Sequence, residues 1–481
     1  MGATCSAPTT SVAAAPVSQE NAVLEKLTGE GLSEAAVKAF MHNYSKLTGG
    51  ESGLIPDKDI DAVESLPRLE EIAKEDGGAN LKDLLSQTVV LKLNGGLGTS
   101  MGLEKAKSLL PVKGGRTFLD LIADQIDHLS EANSAKVQFV LMNSFSTNED
   151  TLDALKASRP GILAQEDLFL LQNKSPKIDV STLKPVEFGA NPELEWCPPG
   201  HGDIYPSLLG SGMLDRLLAK GFRYAFVSNS DNLGAVMSTS LLAHFVASKA
   251  AFMMEVAERT EADKKGGHLA KRKADGQLIL RESAMCPDED KKLFQDVSLH
   301  KYFNTNNLWL DLAQLKAKME AHDGLLPLPL IKNKKTVNPR DSSTTSVFQL
   351  ETAMGSAIEC FASATAVVVP RSRFSPVKTC SDLFALRSDA YHLTDDFCVK
   401  LNRDKPPVIK LDDKYYKHVD KMEKLCPEGA PSLISCEKLL VEGPVTFKAG
   451  TAFEGSCTIT NEGAEPKDLA SGEYKDQDVQ V

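Results

Sequence analysis

The residue types that could do chemistry in this chain gather in four short segments. The densest is Leu93-Asn94-Gly95-Gly96-Leu97-Gly98-Thr99-Ser100-Met101-Gly102, with Lys107 five residues later. Behind the apolar run Thr88–Leu93, closely spaced glycines let the backbone turn sharply and bring N–H groups against phosphate oxygens. The segment is not a dinucleotide fingerprint, because Met101 stands where the third glycine belongs. Nor is it a P-loop, since no Gly-Lys-Ser/Thr closes it. A plain turn with a solvated lysine would not need four glycines in eight residues.

The second segment, Trp196-Cys197-Pro198-Pro199-Gly200-His201-Gly202-Asp203-Ile204-Tyr205, is stiffened by proline and glycine just ahead of a helix. It holds His201 and Asp203 on a rim, with His201 read as a ligand contact and not as a general base. In the third, Phe226-Val227-Ser228-Asn229-Ser230-Asp231-Asn232, an apolar strand ends in a polar cluster, where open α/β sheets bind ligands. Asp231 there suits Mg²⁺, which takes one or two carboxylates plus substrate phosphates. In the fourth, Arg371, Arg373 and Lys378 fall within eight residues and suit a polyphosphate. Lys332, Lys334 and Lys335 read as a solvated basic loop, whereas Asn304, Asn306 and Asn307 could hydrogen-bond a sugar.

These side chains need a frame, and the apolar patterning supplies one. Strand Thr88–Leu93, a helix near Thr117–Leu129 and strand Val137–Met142 make a βαβ unit, hence a parallel sheet with a right-handed crossover. Further strands are expected at Tyr224–Ser228, Phe252–Ala257 and Ala366–Val369, and helices at Ser207–Lys220 and Thr345–Phe361. Val441, Phe447, Phe453 and Ile459 recur every six residues among Gly443, Gly450 and Gly455. That period fits a β-helix with one apolar residue per flat face, although two hairpins could also produce it. The expected division is a disordered leader over 1–17, a helical segment over 18–85, an α/β domain over 86–395, a β-helix over 396–461 and a disordered tail over 462–481.

Composition sets outer bounds. With 54 Lys+Arg against 66 Asp+Glu, the net charge of −12 argues against gripping nucleic acid, which needs clustered cations. A small phosphorylated ligand needs only two or three well-placed lysines. No apolar run approaches the roughly 20 residues of a membrane helix. Nine cysteines without a C-x-x-C pair, and no secretory signal at the start, point to a reducing, cytoplasmic setting. Met1-Gly2-Ala3-Thr4-Cys5-Ser6 matches an N-myristoylation pattern, with Cys5 as a second acylation site, and would give weak membrane association if used.

Taken together, Leu93 to Gly102, Pro199-Gly200-His201-Gly202-Asp203, Asn304-Thr305-Asn306-Asn307-Leu308-Trp309 and Phe374-x-Pro376-Val377-Lys378 closely resemble the eukaryotic UTP–glucose-1-phosphate uridylyltransferases, or UDP-glucose pyrophosphorylases. The matching blocks run from about residue 88 to 395 in the family's order. One departure is Ala106, where many members carry proline. The resemblance implies an α/β nucleotidyltransferase fold: a doubly wound, Rossmann-like mixed or parallel sheet followed by a left-handed β-helix. It implies UTP contacts from Leu93, Asn94, Gly95, Gly96, Lys107, Gln172 and Gly200. Sugar-phosphate contacts would come from His201, Asn229, Gly267, Asn306 and Lys378, with Mg²⁺ on Asp231 and Lys107 and Lys378 as the catalytic cations. It leaves the oligomeric state open, since members range from monomers to large assemblies.

A pyrophosphorylase for UDP-N-acetylhexosamines or for several UDP-sugars is the nearest alternative, but its glycine loop would differ. A non-catalytic UDP-sugar-binding protein would have no use for Lys107, Asp231 and Lys378 together. A dinucleotide-dependent oxidoreductase fails at Met101.

Overall fold

Side-chain alternation along the strands decides the architecture. In β2 (Thr88–Asn94), Val90 enters the core on one face of a sheet, and Val89 and Leu91 enter the core on the other. Successive side chains of a strand point to opposite faces, so a strand apolar at nearly every position must be covered on both.

The computed structural model describes residues 17–72 and 81–481, and among them the central sheet is mixed and has ten strands. Besides β2 these are β1 (Ile60–Ala62), β3 (Gln138–Asn143), β4 (Phe169–Leu171), β5 (Tyr224–Asn229), β6 (Phe252–Glu258), β7 (His268–Arg272), β8 (Leu278–Arg281), β9 (Tyr302–Asp311) and β10 (Thr365–Val368). The order is β1-β7-β9-β5-β2-β3-β4, with β6 pairing β9 and β10, and β8 pairing β7. Strands β5, β2, β3 and β4 run parallel, whereas β9 lies antiparallel to β5 and β6. Helices Phe118–Ala132, Thr239–Ser248 and Cys380–Arg387 cover one face; Ile204–Gly210 and Met213–Ala219 cover the other.

The C-terminal strands pair in parallel: Val408–Leu411 with Ser432–Glu442, Ser432–Glu442 with Thr451–Thr460, and Val445–Phe447 with Lys467–Leu469. All four residues of the six-residue period, Val441, Phe447, Phe453 and Ile459, are buried. Their core is continuous with that of the main sheet, through contacts such as Phe384 to Phe447 at 5.4 Å between ring centroids.

Several expectations are corrected. Residues 462–481 are not disordered: Lys467–Leu469, Gly472–Lys475 and Asp478–Gln480 are strands that pair in parallel with the strands before them. Few apolar residues are needed there, because parallel pairing satisfies the backbone, Leu469 is buried, and Tyr474, Val479 and Val481 pack half-buried against the core. Thr345–Phe361 is not a helix. Ser346–Glu351 is a strand with Val347 and Leu350 buried, followed by a 3₁₀ segment Met354–Cys360. Its partner strand Ile331–Thr336 carries Lys332, Lys334 and Lys335 exposed, so they belong to a strand and not to a loop.

The helix expected over 207–220 is split at Gly212, whose φ of +70° belongs to the left-handed region. Segment 18–85 is not helical throughout, since β1 joins the central sheet beside β7. Almost all of the 1–17 leader, with Gly2 and Cys5, lies outside the described residues. Among the described residues no helix is long and apolar enough to cross a membrane.

Candidate active site

The parallel strands β2, β3 and β5 end side by side, and three of the four chemical segments leave from or beside those ends. Asn94, the last residue of β2, is buried, with its Nδ2 donating to Asn143 Oδ1 at 2.8 Å and Thr151 Oγ1 at 3.0 Å. Its side chain is therefore committed to the strand ends. Leu93, just before it, is half-buried and packs against the core.

Next in the chain, the Gly95 carbonyl accepts from Ser144 Oγ at 2.9 Å. A Cβ on Gly95 would lie 2.9 Å from Gln172 Oε1, whereas one on Gly96 would meet open space. Gln172 Nε2 in turn donates to the Gly200 carbonyl at 2.9 Å. Gly95, Gln172 and Gly200 thus form one cradle from three distant segments. Gly200 has φ +81°, and a Cβ there would sit 2.5 Å from the Thr352 carbonyl. That crowding comes from Thr352 N donating to Pro199 O and Gly202 N donating to Thr352 O.

On the same loop, His201 Nδ1 accepts from Met354 N at 2.9 Å, which leaves the ring proton on Nε2. Burial pushes its pKa down to about 4, so the ring is neutral near pH 7. Asp203 is buried and accepts from Asn173 N at 2.7 Å and Ser207 Oγ at 2.8 Å. Burial pushes its pKa up to about 6. It anchors Asn173, next to Gln172, and so acts on the cradle from behind.

The backbone N of Lys107 donates to the Gly96 carbonyl at 3.0 Å and closes the glycine loop on itself. Lys107 Nζ reaches Asp231 Oδ2 at 2.8 Å and also donates to the Val377 carbonyl. Ala106, the departure from proline, has φ −50°, a value proline itself adopts, so the loop geometry is kept. Asn229, at the end of β5, lies beside Leu93 in the parallel ladder. Lys378 is exposed and faces the Phe374 ring at 5.8 Å. Its backbone N donates to Asp382 Oδ2, which also caps the helix Cys380–Arg387.

A third wall comes from β7, β8 and β9. A Cβ on Gly267 would lie 2.5 Å from the Glu282 carboxylate. Burial raises the Glu282 pKa, offset in part by Asn304 and by the Lys378 ammonium. Asn304 Nδ2 donates to Asn306 Oδ1 at 2.9 Å. Between β6 and β9 the register jumps, with Glu255 opposite Asn307 but Val256 opposite Asn304. The resulting bulge throws out Asn306 at φ +59°.

Two cations expected to meet polyphosphate are committed elsewhere. Arg371 is paired with Asp263, and Arg373 with the wholly buried Glu255. In the basic segment only Lys378 is without an ion-pair partner among the described residues. As for Mg²⁺, no group of three or more metal-ligating side chains occurs among the described residues. Asp231 shares one carboxylate oxygen with Lys107, and a lone carboxylate suits an ion whose other ligands are water and substrate phosphate. The donor set fits Mg²⁺ arriving with a nucleotide.

Comparison with known proteins decides the family. The family model described as UTP–glucose-1-phosphate uridylyltransferase matches residues 37–453. The chain belongs to this family. It is 37% identical to a probable UTP–glucose-1-phosphate uridylyltransferase of Schizosaccharomyces pombe over 96% of this chain and 92% of that one. It is 40% identical to the Solanum tuberosum enzyme of that name, over 82% and 81%. Among solved structures, a mutant UDP-glucose pyrophosphorylase of Leishmania major in complex with UDP-glucose superposes with a TM-score of 0.91 at 46% identity, covering 97% of this chain and all of that one.

Within this uridylyltransferase site, sequence reading overlooked Glu282, Thr352, Ser144 and Glu255. No motif marks them, because each is tied to the site by a contact with a residue outside its own segment. Only the position of Glu282 just after the apolar strand Leu278–Arg281 could have drawn attention to it.

Proposed function

We propose that the chain transfers a uridylyl group from UTP to α-D-glucose 1-phosphate, giving UDP-glucose and pyrophosphate in a reversible reaction. The observation that carries this reading is the meeting of Lys107, Asp231 and the Val377 carbonyl, with Lys107 N hydrogen-bonded to Gly96 on one side and Lys378 acting on Glu282 on the other. On one side the Gly95–Gln172–Gly200 cradle is open at Gly96, which suits a flat nucleobase. On the other, Gly267, Glu282, Asn304 and Asn306 present carboxylate and amides to a polyhydroxylated sugar.

In this arrangement a phosphate oxygen of glucose 1-phosphate attacks the α-phosphorus of UTP, and pyrophosphate departs in line. The sugar phosphate is ionised near pH 7, so no general base is required. Both reactants are polyanions, so alignment and charge neutralisation supply the catalysis. Lys107 neutralises the UTP phosphates and Lys378 the sugar phosphate. The neutral His201, with its proton on Nε2, and Asn229 donate hydrogen bonds to glucose 1-phosphate. Asp231 would hold Mg²⁺, which when bound supplies charge compensation on the nucleotide phosphates.

We read the six-residue apolar period and the parallel C-terminal pairing as a left-handed β-helix. A cytoplasmic setting belongs to the same reading, supported by eight free cysteines among the described residues, six of them buried.

The experiment supplies UTP with glucose, galactose or N-acetylglucosamine 1-phosphate and measures pyrophosphate release for each. Marked preference for glucose 1-phosphate is expected. Equal rates would favour the broad-specificity alternative, and no release with any sugar would favour a binding protein.

A further inference from the structure

A buried polar network joins β6 and β9 to the loops that carry Asp231 and Lys378. Glu255, fully enclosed in β6, accepts from Arg373 Nε and Nη2 at 2.7 Å each, from Trp309 Nε1 at 3.0 Å and from Asn307 Nδ2 at 3.1 Å. The Arg373 carbonyl accepts from Asn232 Nδ2 at 3.1 Å and Asn307 Nδ2 at 3.2 Å. Asn232 Oδ1 accepts from Ser375 N at 3.0 Å, and the Asp231 carbonyl accepts from Val377 N at 3.1 Å. At Gly234 a Cβ would meet the Ser372 carbonyl at 2.3 Å. The loop carrying Asp231 and the loop carrying Lys378 are therefore fused into one body, and among the described residues Arg373 is the one side chain of the second loop that forms an ion pair with a carboxylate of the sheet beneath.

A buried ion pair is weak support for stability, since well-packed apolar residues often serve as well. This pair does something apolar packing could not. Its bidentate fork fixes the direction of a backbone that, four residues on, presents the Val377 carbonyl to Lys107 and then Lys378 to the cleft.

We propose that Arg373, clamped by Glu255, is a positioning residue of the transfer reaction, setting the place of Lys378 relative to Lys107 and Asp231 without touching substrate. This rests on the reading of Lys378 as the sugar-phosphate lysine.

A double-mutant cycle between Arg373→Ala and Lys378→Ala tests it, with kcat, KM for UTP and thermal unfolding measured for each variant. Arg373→Ala alone should lower kcat about 100-fold while KM for UTP stays within about threefold. In the Lys378→Ala background the same change should cost less than about threefold, because the group that it positions is gone. Losses that multiply, or a near-normal Arg373→Ala, would overturn the positioning role. Should Arg373→Ala fail to fold, Arg373→Lys keeps the charge but loses the fork and is read through the same cycle. A Lys378→Ala enzyme with near-normal turnover would instead bring down the reading of Lys378, and this proposal with it.

Discussion

Lys107 Nζ and Asp231 Oδ2 lie 2.8 Å apart, although the residues are 124 positions apart in the chain. The cation of the glycine loop and the carboxylate at the end of β5 form one ion pair, so each holds the other where nucleotide phosphates would arrive. Lys107→Ala should therefore lower kcat by about 10²–10³ with modest change in thermal stability. Steady-state pyrophosphate release checks this, and unaltered kinetics would remove Lys107 from the mechanism.

The same pair predicts a metal phenotype. Asp231→Asn keeps the shape but removes the charge, and it should raise the Mg²⁺ concentration for half-maximal activity by about tenfold or more. Titration of activity with Mg²⁺ at fixed UTP measures it. An unshifted midpoint would place the metal elsewhere.

The two glycine contacts should separate the substrates. Gly267→Ala pushes on the Glu282 carboxylate 2.5 Å away and should raise KM for glucose 1-phosphate about tenfold, with KM for UTP little changed. Gly200→Ala forces a side chain into φ +81° against the Thr352 carbonyl. It should weaken UTP binding and lower stability by about 1–2 kcal/mol. Initial rates with each substrate varied in turn distinguish the two; identical effects on both KM values would contradict two separate pockets.

His201 and Asp203 predict opposite pH dependences. The folded His201 pKa of about 4 is below the usual 6.5, so the unfolded chain binds the proton first and His201 costs stability as pH falls from 6.5 towards 4. Asp203, raised from 3.8 to about 6, contributes stability at low pH that is lost as pH rises through 6. The pair largely cancels between pH 4 and 6. His201→Asn removes the first contribution, so the variant should gain on wild type by about 2–3 kcal/mol on going from pH 6.5 to 4. Urea unfolding across that range checks the sign.

Local pattern carried much of this protein. The βαβ unit around the glycine loop was legible because apolar residues and glycines are neighbours in sequence, and strands β2, β3, β5, β6 and β10 fall within a residue or two of their expected positions. The misread helix at 345–361 shows the limit: Ser346–Glu351 is extended because Ile331–Thr336 lies beside it, and pairing with a remote strand leaves no mark on a local helical pattern. The ordered strands after residue 462 were hidden for a similar reason, since their order comes from backbone pairing with the strands before them.

Sequence by itself determined which residue types could neutralise phosphates, and it placed Asp231 at the end of a strand and Lys107 and Lys378 in loop segments. Tertiary structure alone decided which charges were free to do so. Arg371 and Arg373 read as equals of Lys378 until folding brought Asp263 and Glu255 against them. A carboxylate more than a hundred residues away consumes each guanidinium, and charge pairing at that separation depends on distance in space and not on order along the chain.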